Sequence, residues 1–402
     1  MSRLGFGIFV APFHSPVGED PTAAYERDLD VIKLADQLGF DEAWIGEHHS
    51  LGHELIPDPM LFIAHAANHT RHIKLGTGVL SLPYHNPLWV ADRALFLDHL
   101  TRGRFMLGLG PGVLPTDAVM IGIDPEDLRG AFEHDVDVLM ALLRGETVSA
   151  RTDRYTLVEA RTQFAPYSDF DIAVAAIATP TGPRTAAKHG LGLLSVGATA
   201  QEGFDRLALH WDVMEQRAPE FGHPADRAKW RLVGPMHLAQ TREQAIKDVR
   251  FGLDPWAEYT QEVVAAPQFR AAGSTFEERV AWVNETGLGV IGTPAEAIEQ
   301  VERLAQQSGG FGTYLLMHHE WADPEATARS YELFARYVKP RFQGTTERLR
   351  RAEAYGRERW QELNRRQGVA VHEATERHRA GTPKQSEGAR ETGLSGAAGG
   401  GR

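Results

Sequence analysis

Cysteine is absent from all 402 residues, which excludes disulfide bonds and thiolate metal sites. Long apolar runs are missing too, and nothing approaches the roughly 20 residues that a membrane span needs. The opening segment, MSRLGFGIFVAPFHSPVGED, has one arginine, an apolar run broken by glycines and no small-residue cleavage pattern, so no secretory signal is expected. A basic excess is also lacking. With 54 acidic against 42 basic residues the net charge is −12, whereas phosphate-backbone binding needs a basic surface. The expectation is a soluble, cytoplasmic protein with no nucleic-acid and no membrane partner.

What is present is an alternation of short apolar runs with amphipathic patterns. Eight runs read as strands: LGFGIFV, EAWIGE, IKLGTGVLSL, RFMLGLG, FDIAVAAI, LGLLSVG, WRLVGPMHLA and FGTYLLMHH. Each is apolar on both faces and is followed by a helical pattern, as in a parallel sheet covered by helices. The first helix shows the signals well, with Asp20 as N-cap, Pro21 at the first helical position and Val31, Leu34, Ala35 and Leu38 on one face. A further helix is expected to open at Asp124 and Pro125, after which residues 146–168 read as a polar hairpin. Eight strand–helix units predict an α/β fold, a (β/α)8 TIM barrel with insertions, over residues 1–344; a doubly wound open sheet is the alternative. Residues 253–290 form a long excursion after the seventh strand, either a lid or a surface helical hairpin. Residues 345–402, with 12 basic against 8 acidic residues, differ in composition from the rest and read as a charged helical extension whose last 20 residues are disordered.

In a barrel the reactive face lies at the C-terminal ends of the strands. Those ends carry His14, then Glu47, His48 and His49, then Tyr84 and His85, then Pro111 and Gly112, then Thr179 to Arg184, then His237, and last His318 and His319. Histidines from five strands imply a shared pocket. Adjacent strand residues point to opposite faces, so His48 and His49 are expected to diverge, which weakens a metal-site reading. The segment GLGVIG, Gly287 to Gly292, has the glycine spacing of a dinucleotide fingerprint but no strand is expected before it. It reads instead as a loop ending at a helix capped by Thr293, Pro294 and Glu296. A phosphate site is better sought in ATPTGPRTAAKHG, residues 178–190, where Thr179, Thr181, the Gly182 backbone and Arg184 stand at a helix N-terminus.

Several stretches, GFDEAWIGEHH, IKLGTGVLSLPYHNPLWVADRALFLDHLTRGRFMLGLG, AAKHGLG and VIGTPAEAIEQVERL, together resemble the bacterial luciferase-like flavin-dependent monooxygenases over roughly residues 3–342. GEHHS, SLPYHNPLWVADR and GPGVLPTDA are most similar to the limonene 1,2-monooxygenase branch. The resemblance implies a barrel that uses reduced FMN, supplied by a separate NAD(P)H-dependent flavin reductase, and O2 as co-substrate. One oxygen atom would enter a small apolar substrate such as the terpene limonene, and the chain would pair as a homodimer. By motif, the catalytic histidine falls on His48. A non-proline cis peptide beneath the flavin falls on Gly78 and Val79, and the phosphate turn on Thr179, Thr181, Gly182 and Arg184. Glu47, His49, His85, His237 and His318 are then supporting or pocket residues, with Phe13, Trp89 and Met317 as candidate apolar walls. Pro111 stands where luciferase has a flavin-contacting arginine. Other functions compatible with these residues are an FMN- or deazaflavin-dependent oxidoreductase without oxygen insertion, a non-catalytic flavin-binding subunit, and a metal-dependent hydrolase.

Overall fold

The computed structural model describes residues 3–11, 13–14, 20–177, 179–196, 199, 204–264 and 273–381. The eight apolar runs form eight parallel strands: β1 (Gly5–Val10), β2 (Glu42–Ile45), β3 (Lys74–Thr77), β4 (Phe105–Gly110), β5 (Ile172–Ala176), β6 (Gly192–Val196), β7 (Trp230–Leu238) and β8 (Thr313–Met317). They pair in chain order, and β8 pairs with both β7 and β1, which closes a barrel. Around it run α1 (Pro21–Gln37), α2 (Pro59–Ala67), α3 (Pro87–Thr101), α4 (Leu128–Leu143), α5 (Thr181–His189), α6 (Phe204–Arg217), α7 (Pro294–Ser308) and α8 (Pro324–Leu333). Five of these helices start alike, with Asp20, Asp58, Asn86, Thr293 or Asp323 capping a free N–H and proline at the first position.

Two expected boundaries move. Strand three stops at Thr77; the Gly78–Val79 peptide that follows is cis, and a separate two-residue strand, Leu80–Ser81, pairs with β4. The helix expected from Asp124 begins at Leu128. Asp124 instead closes a turn, accepting from the Glu126 N–H through its side chain at 2.9 Å and from the Asp127 N–H through its carbonyl at 3.0 Å. GLGVIG holds a three-residue strand, Val290–Gly292, paired with the end of β7, and the Thr293–Glu296 capping box follows it.

The barrel interior is filled by Trp44, which is fully buried. Glycines on β3, on β4 and just beyond β3 make room for it: a Cβ at Gly76, Gly78 or Gly108 would come within 2.9, 2.8 or 3.0 Å of its side chain. Beneath it, at the N-terminal end, Arg231 pairs with Glu42 at 2.7 Å and Asp171 at 3.2 Å. Above it the inward residues Phe9, Val79, Val196, Ile177 and Met317 leave an apolar floor open toward the C-terminal rim.

The excursion after β7 includes the helices Leu253–Glu258 and Phe276–Glu285; its residues 265–272 lie outside the described residues. Its apolar side chains cluster with Phe13, Leu114 and Trp321, which follow β1, β4 and β8, so the described part packs over the C-terminal end of the barrel. The expected hairpin is present as Val148–Arg151 and Thr156–Ala160.

The chain divides into two compact units, Met1–Gly344 and Thr345–Arg402. The second consists, where described, of the helices Glu347–Glu358 and Trp360–Gly381, laced by i,i+4 pairs such as Glu347–Arg351 and Glu353–Arg357. The end of the tail read as disordered lies outside the described residues. Among the described residues no helix is long and apolar enough to cross a membrane.

Candidate active site

The loop after β2 turns back on itself. Leu51 and Gly52 both adopt left-handed backbone (φ 68° and 69°), and the His48 N–H donates to the Ile56 carbonyl at 3.1 Å. This fold-back sets Glu54 against His48, with Glu54 Oε2 and His48 Nε2 2.9 Å apart. The other ring nitrogen, Nδ1, lies 3.4 Å from Asp117 Oδ2. Asp117 is carried in the first turn of a short helix, Pro115–Met120, and also accepts from the His49 N–H at 3.2 Å and from the Ser50 hydroxyl. His48 is thus gripped by two carboxylates from two loops. Burial opposes its protonation, but the charge of Glu54 and the bond to Asp117 outweigh burial and push its pKa up to about 10. Conversely, burial pushes Glu54 and Asp117 upward, and their contacts with His48 hold both below the usual carboxylate range.

His49 turns the other way, as strand alternation implied, and reaches Glu47 at 3.1 Å. Glu47 is buried and also accepts from His85 Nε2 at 2.6 Å and from the Ser81 N–H at 2.5 Å. Burial disfavours its charge, yet the bonds from His49, His85 and Ser81 keep its pKa below the ordinary value. Glu47 therefore ties the end of β2 to the turn that holds the cis peptide. Tyr84 packs edge-on to His49, with its ring 6.0 Å away and its hydroxyl buried without a hydrogen-bond partner among the described residues.

The rim histidines do not form one pocket. His14 lies between Asp28 Oδ1 and Glu320 Oε1, at 3.1 Å from each. His237 contacts Asp248 of the helix Arg242–Asp248 at 3.3 Å, and His318 contacts the Tyr331 hydroxyl of α8 at 2.9 Å. Burial depresses both of these imidazoles, His318 to about 4. His318 follows the inward-facing Met317 while its N–H still bonds the β1 carbonyl of Phe9, so alternation sends its side chain outward to α8. Trp89, a candidate wall, is 61% exposed on α3, whereas Met317 faces the barrel interior. Among the described residues no group of three histidine or carboxylate side chains converges on a common metal position.

The expected phosphate turn is only partly as read. Thr181 opens α5, whose N-terminus has no side-chain cap and no acidic residue in its first turn. Gly182 lies hard against β5, where a Cβ would fall 2.1 Å from the Ala175 carbonyl oxygen. Arg184, expected to add charge there, instead pairs with Glu133 of α4 at 2.5 Å and is half exposed. The reason is helix periodicity: Gly182, Thr185 and Ala186 are buried against the barrel, which turns position 184 outward. Residues that can hold a planar cofactor are thus apolar side chains (Val79, Ile177, Met317) on the floor and neutral donors (Thr179, Thr181) at the rim.

Sequence reasoning missed Glu54, Asp117 and Tyr259, whose hydroxyl donates to Glu54 at 3.2 Å. Asp117 lies within GPGVLPTDA, one of the stretches most similar to the limonene 1,2-monooxygenase branch.

The sequence model of the family described as luciferase-like monooxygenase matches residues 4–310. Limonene 1,2-monooxygenase of Rhodococcus erythropolis is 48% identical over 342 residues, covering 85% of this chain and 87% of that protein. The 4-hydroxyprotoasukamycin monooxygenase of Streptomyces nodosus subsp. asukaensis is 43% identical, covering 86% and 94%. Among solved structures, the oxygenating constituent of 3,6-diketocamphane monooxygenase of Pseudomonas putida, in complex with FMN, superposes with a TM-score of 0.70 at 23% identity, covering 84% and 98%.

Proposed function

The chain belongs to the luciferase-like monooxygenase family, a family of flavin-dependent enzymes, and from that premise we propose a two-component oxygenase acting on a small apolar cyclic alkene such as limonene. Reduced FMN comes from a separate NAD(P)H-dependent flavin reductase, and O2 is the co-substrate. The observation that carries the reading is His48, set between the carboxylates of Glu54 and Asp117 at the rim of an apolar barrel interior.

The residues present fit FMN. Val79, Ile177 and Met317 offer an apolar platform for a ring system. The α5 N-terminus presents free N–H groups and the dipole's positive end to a phosphate, with hydroxyls from Thr179 and Thr181 and no carboxylate in the first turn to repel it. Bound reduced flavin supplies the two electrons for oxygen activation; one oxygen atom enters the substrate and the other leaves as water.

This chain's part is protonic and steric. With its pKa pushed up to about 10, His48 carries a proton on each ring nitrogen at neutral pH, Nδ1 toward Asp117 and Nε2 toward Glu54. Asp117 and Glu54, both anionic, hold the imidazole's orientation and favour its return to the cation, the proton coming from solvent. Glu47, with His49 and His85, fixes the cis-peptide turn. The excursion after β7 acts as a lid whose apolar cluster with Phe13 and Leu114 excludes water.

Homodimerisation is proposed from the exposed apolar stripe Trp89, Phe96 and Leu100 on α3, spaced to share one face, beside Leu61 on α2. The test of function is turnover of limonene by the chain with FMN, NADH and a flavin reductase. An oxygenated product supports the reading. Flavin oxidation without product supports a flavin carrier, and reduction by a deazaflavin donor without O2 uptake supports the non-oxygenating alternative.

A further inference from the structure

Tyr259 stands on the excursion after β7, yet its side chain contacts residues that follow β1 and β2. Its ring lies 4.2 Å from that of His53 and 5.1 Å from that of Phe13. Its hydroxyl donates to Glu54 Oε1 at 3.2 Å, while Oε2 of the same carboxylate faces His48 Nε2 at 2.9 Å. At Tyr259 the helix Leu253–Glu258 passes into a π-helical turn, Tyr259–Val263, a widened geometry that recurs at functional sites. The residue is 5% exposed, so the contact is made inside the protein.

We propose that Tyr259 is a positioning residue for His48, acting through Glu54: seating the excursion on the barrel mouth places the phenol on Glu54, which sets how firmly His48 holds its proton. The inference rests on the reading of His48 as the proton donor of an oxygenation. It makes the closed lid and the tuned acid one event, so that the proton is released most readily when water is excluded.

The sign follows from the groups around His48. Glu54 faces it from its own loop and Asp117 from the helix Pro115–Met120; His49, next in the chain, adds a repulsion and is itself bonded to Glu47, and the His53 ring lies against Tyr259. The phenol bonds Glu54 in both protonation states of His48, but this bond matters most when His48 is neutral and Glu54 has lost its ionic partner. Tyr259 therefore favours the neutral form, and its loss makes His48 hold its proton more tightly.

The test uses the full chain without flavin or substrate, labelled at histidine and titrated by NMR from neutral to alkaline pH, with the His48 signal identified by its loss in His48→Gln. Tyr259→Phe keeps the ring contacts and should raise the His48 midpoint by about half a pH unit, a modest fraction of one buried hydrogen bond. In a Glu54→Gln background the same change should move it by far less, because the relay is already cut. An unchanged or lowered midpoint, or an equal shift in both backgrounds, overturns the proposal. With FMN, reductase and limonene added, Tyr259→Phe should yield less product per O2 consumed. If wild type gives no product while the flavin-free shift persists, the functional reading fails and the relay stands.

Discussion

Replacing Glu47 by glutamine is nearly isosteric and removes one charge from a buried carboxylate that accepts from Ser81 N–H, His85 and His49 at 2.5, 2.6 and 3.1 Å. An amide keeps one acceptor oxygen. If that oxygen stays on His85, the new NH2 faces the Ser81 N–H, donor against donor. One charge-assisted bond lost and one buried N–H left unpaired come to about 2–4 kcal/mol. For a unit of this size the melting temperature should fall by roughly 3–6 °C near pH 7. The pH dependence gives a second check. The folded pKa of Glu47 lies below its ordinary value, so its stabilisation is fully present above the unfolded pKa and is lost as pH falls through the lower, folded one. The gap between wild type and Glu47→Gln should therefore close on acidification, read by circular dichroism melts across a pH series. A gap near zero at pH 7, or one that persists in acid, would refute the role given to Glu47 as the tie between β2 and the cis-peptide turn.

Three further outcomes follow from the site and the surface. His48→Gln should bind FMN normally in a fluorescence titration yet lose about 10²–10⁴-fold in product formation, and an unchanged yield would remove His48 from the chemistry. Arg184→Ala should leave the FMN dissociation constant within about twofold, because an exposed pair such as Arg184–Glu133 contributes little and lies away from the α5 N-terminus; a tenfold loss would put the guanidinium back on the phosphate. Phe96→Lys on α3, where Phe96 is 56% exposed, should convert a dimer to a monomer in sedimentation velocity, with the same melting temperature for the monomer unit.

The barrel was legible because its strands are apolar on both faces and five of its helices open with the same pair of signals, a capping side chain followed by proline. Local pattern failed where a proline served a turn rather than a helix start, as at Pro125. In the site, His48 and Glu47 could be found because they directly follow a strand end. Asp117 could not: it is 69 residues from His48 in sequence, a solitary carboxylate in a short helix, and only barrel closure brings it near. Glu54 needed the left-handed pair Leu51 and Gly52 to turn the loop back. His237, His318 and Arg184 were placed by position along an element, when rotation about its axis decides where a side chain goes. Histidines that share the strand-end level therefore do not all share one pocket.

The most direct test of the central claim is product analysis with 18O2, using the purified chain, FMN, NADH, a flavin reductase and limonene in ordinary water. One 18O atom in an oxygenated terpene, with the second recovered as labelled water and the yield abolished in His48→Gln, is the expected result. An unlabelled product, or oxygen uptake that ends wholly in hydrogen peroxide across a panel of cyclic alkenes, ketones and aldehydes, would contradict it.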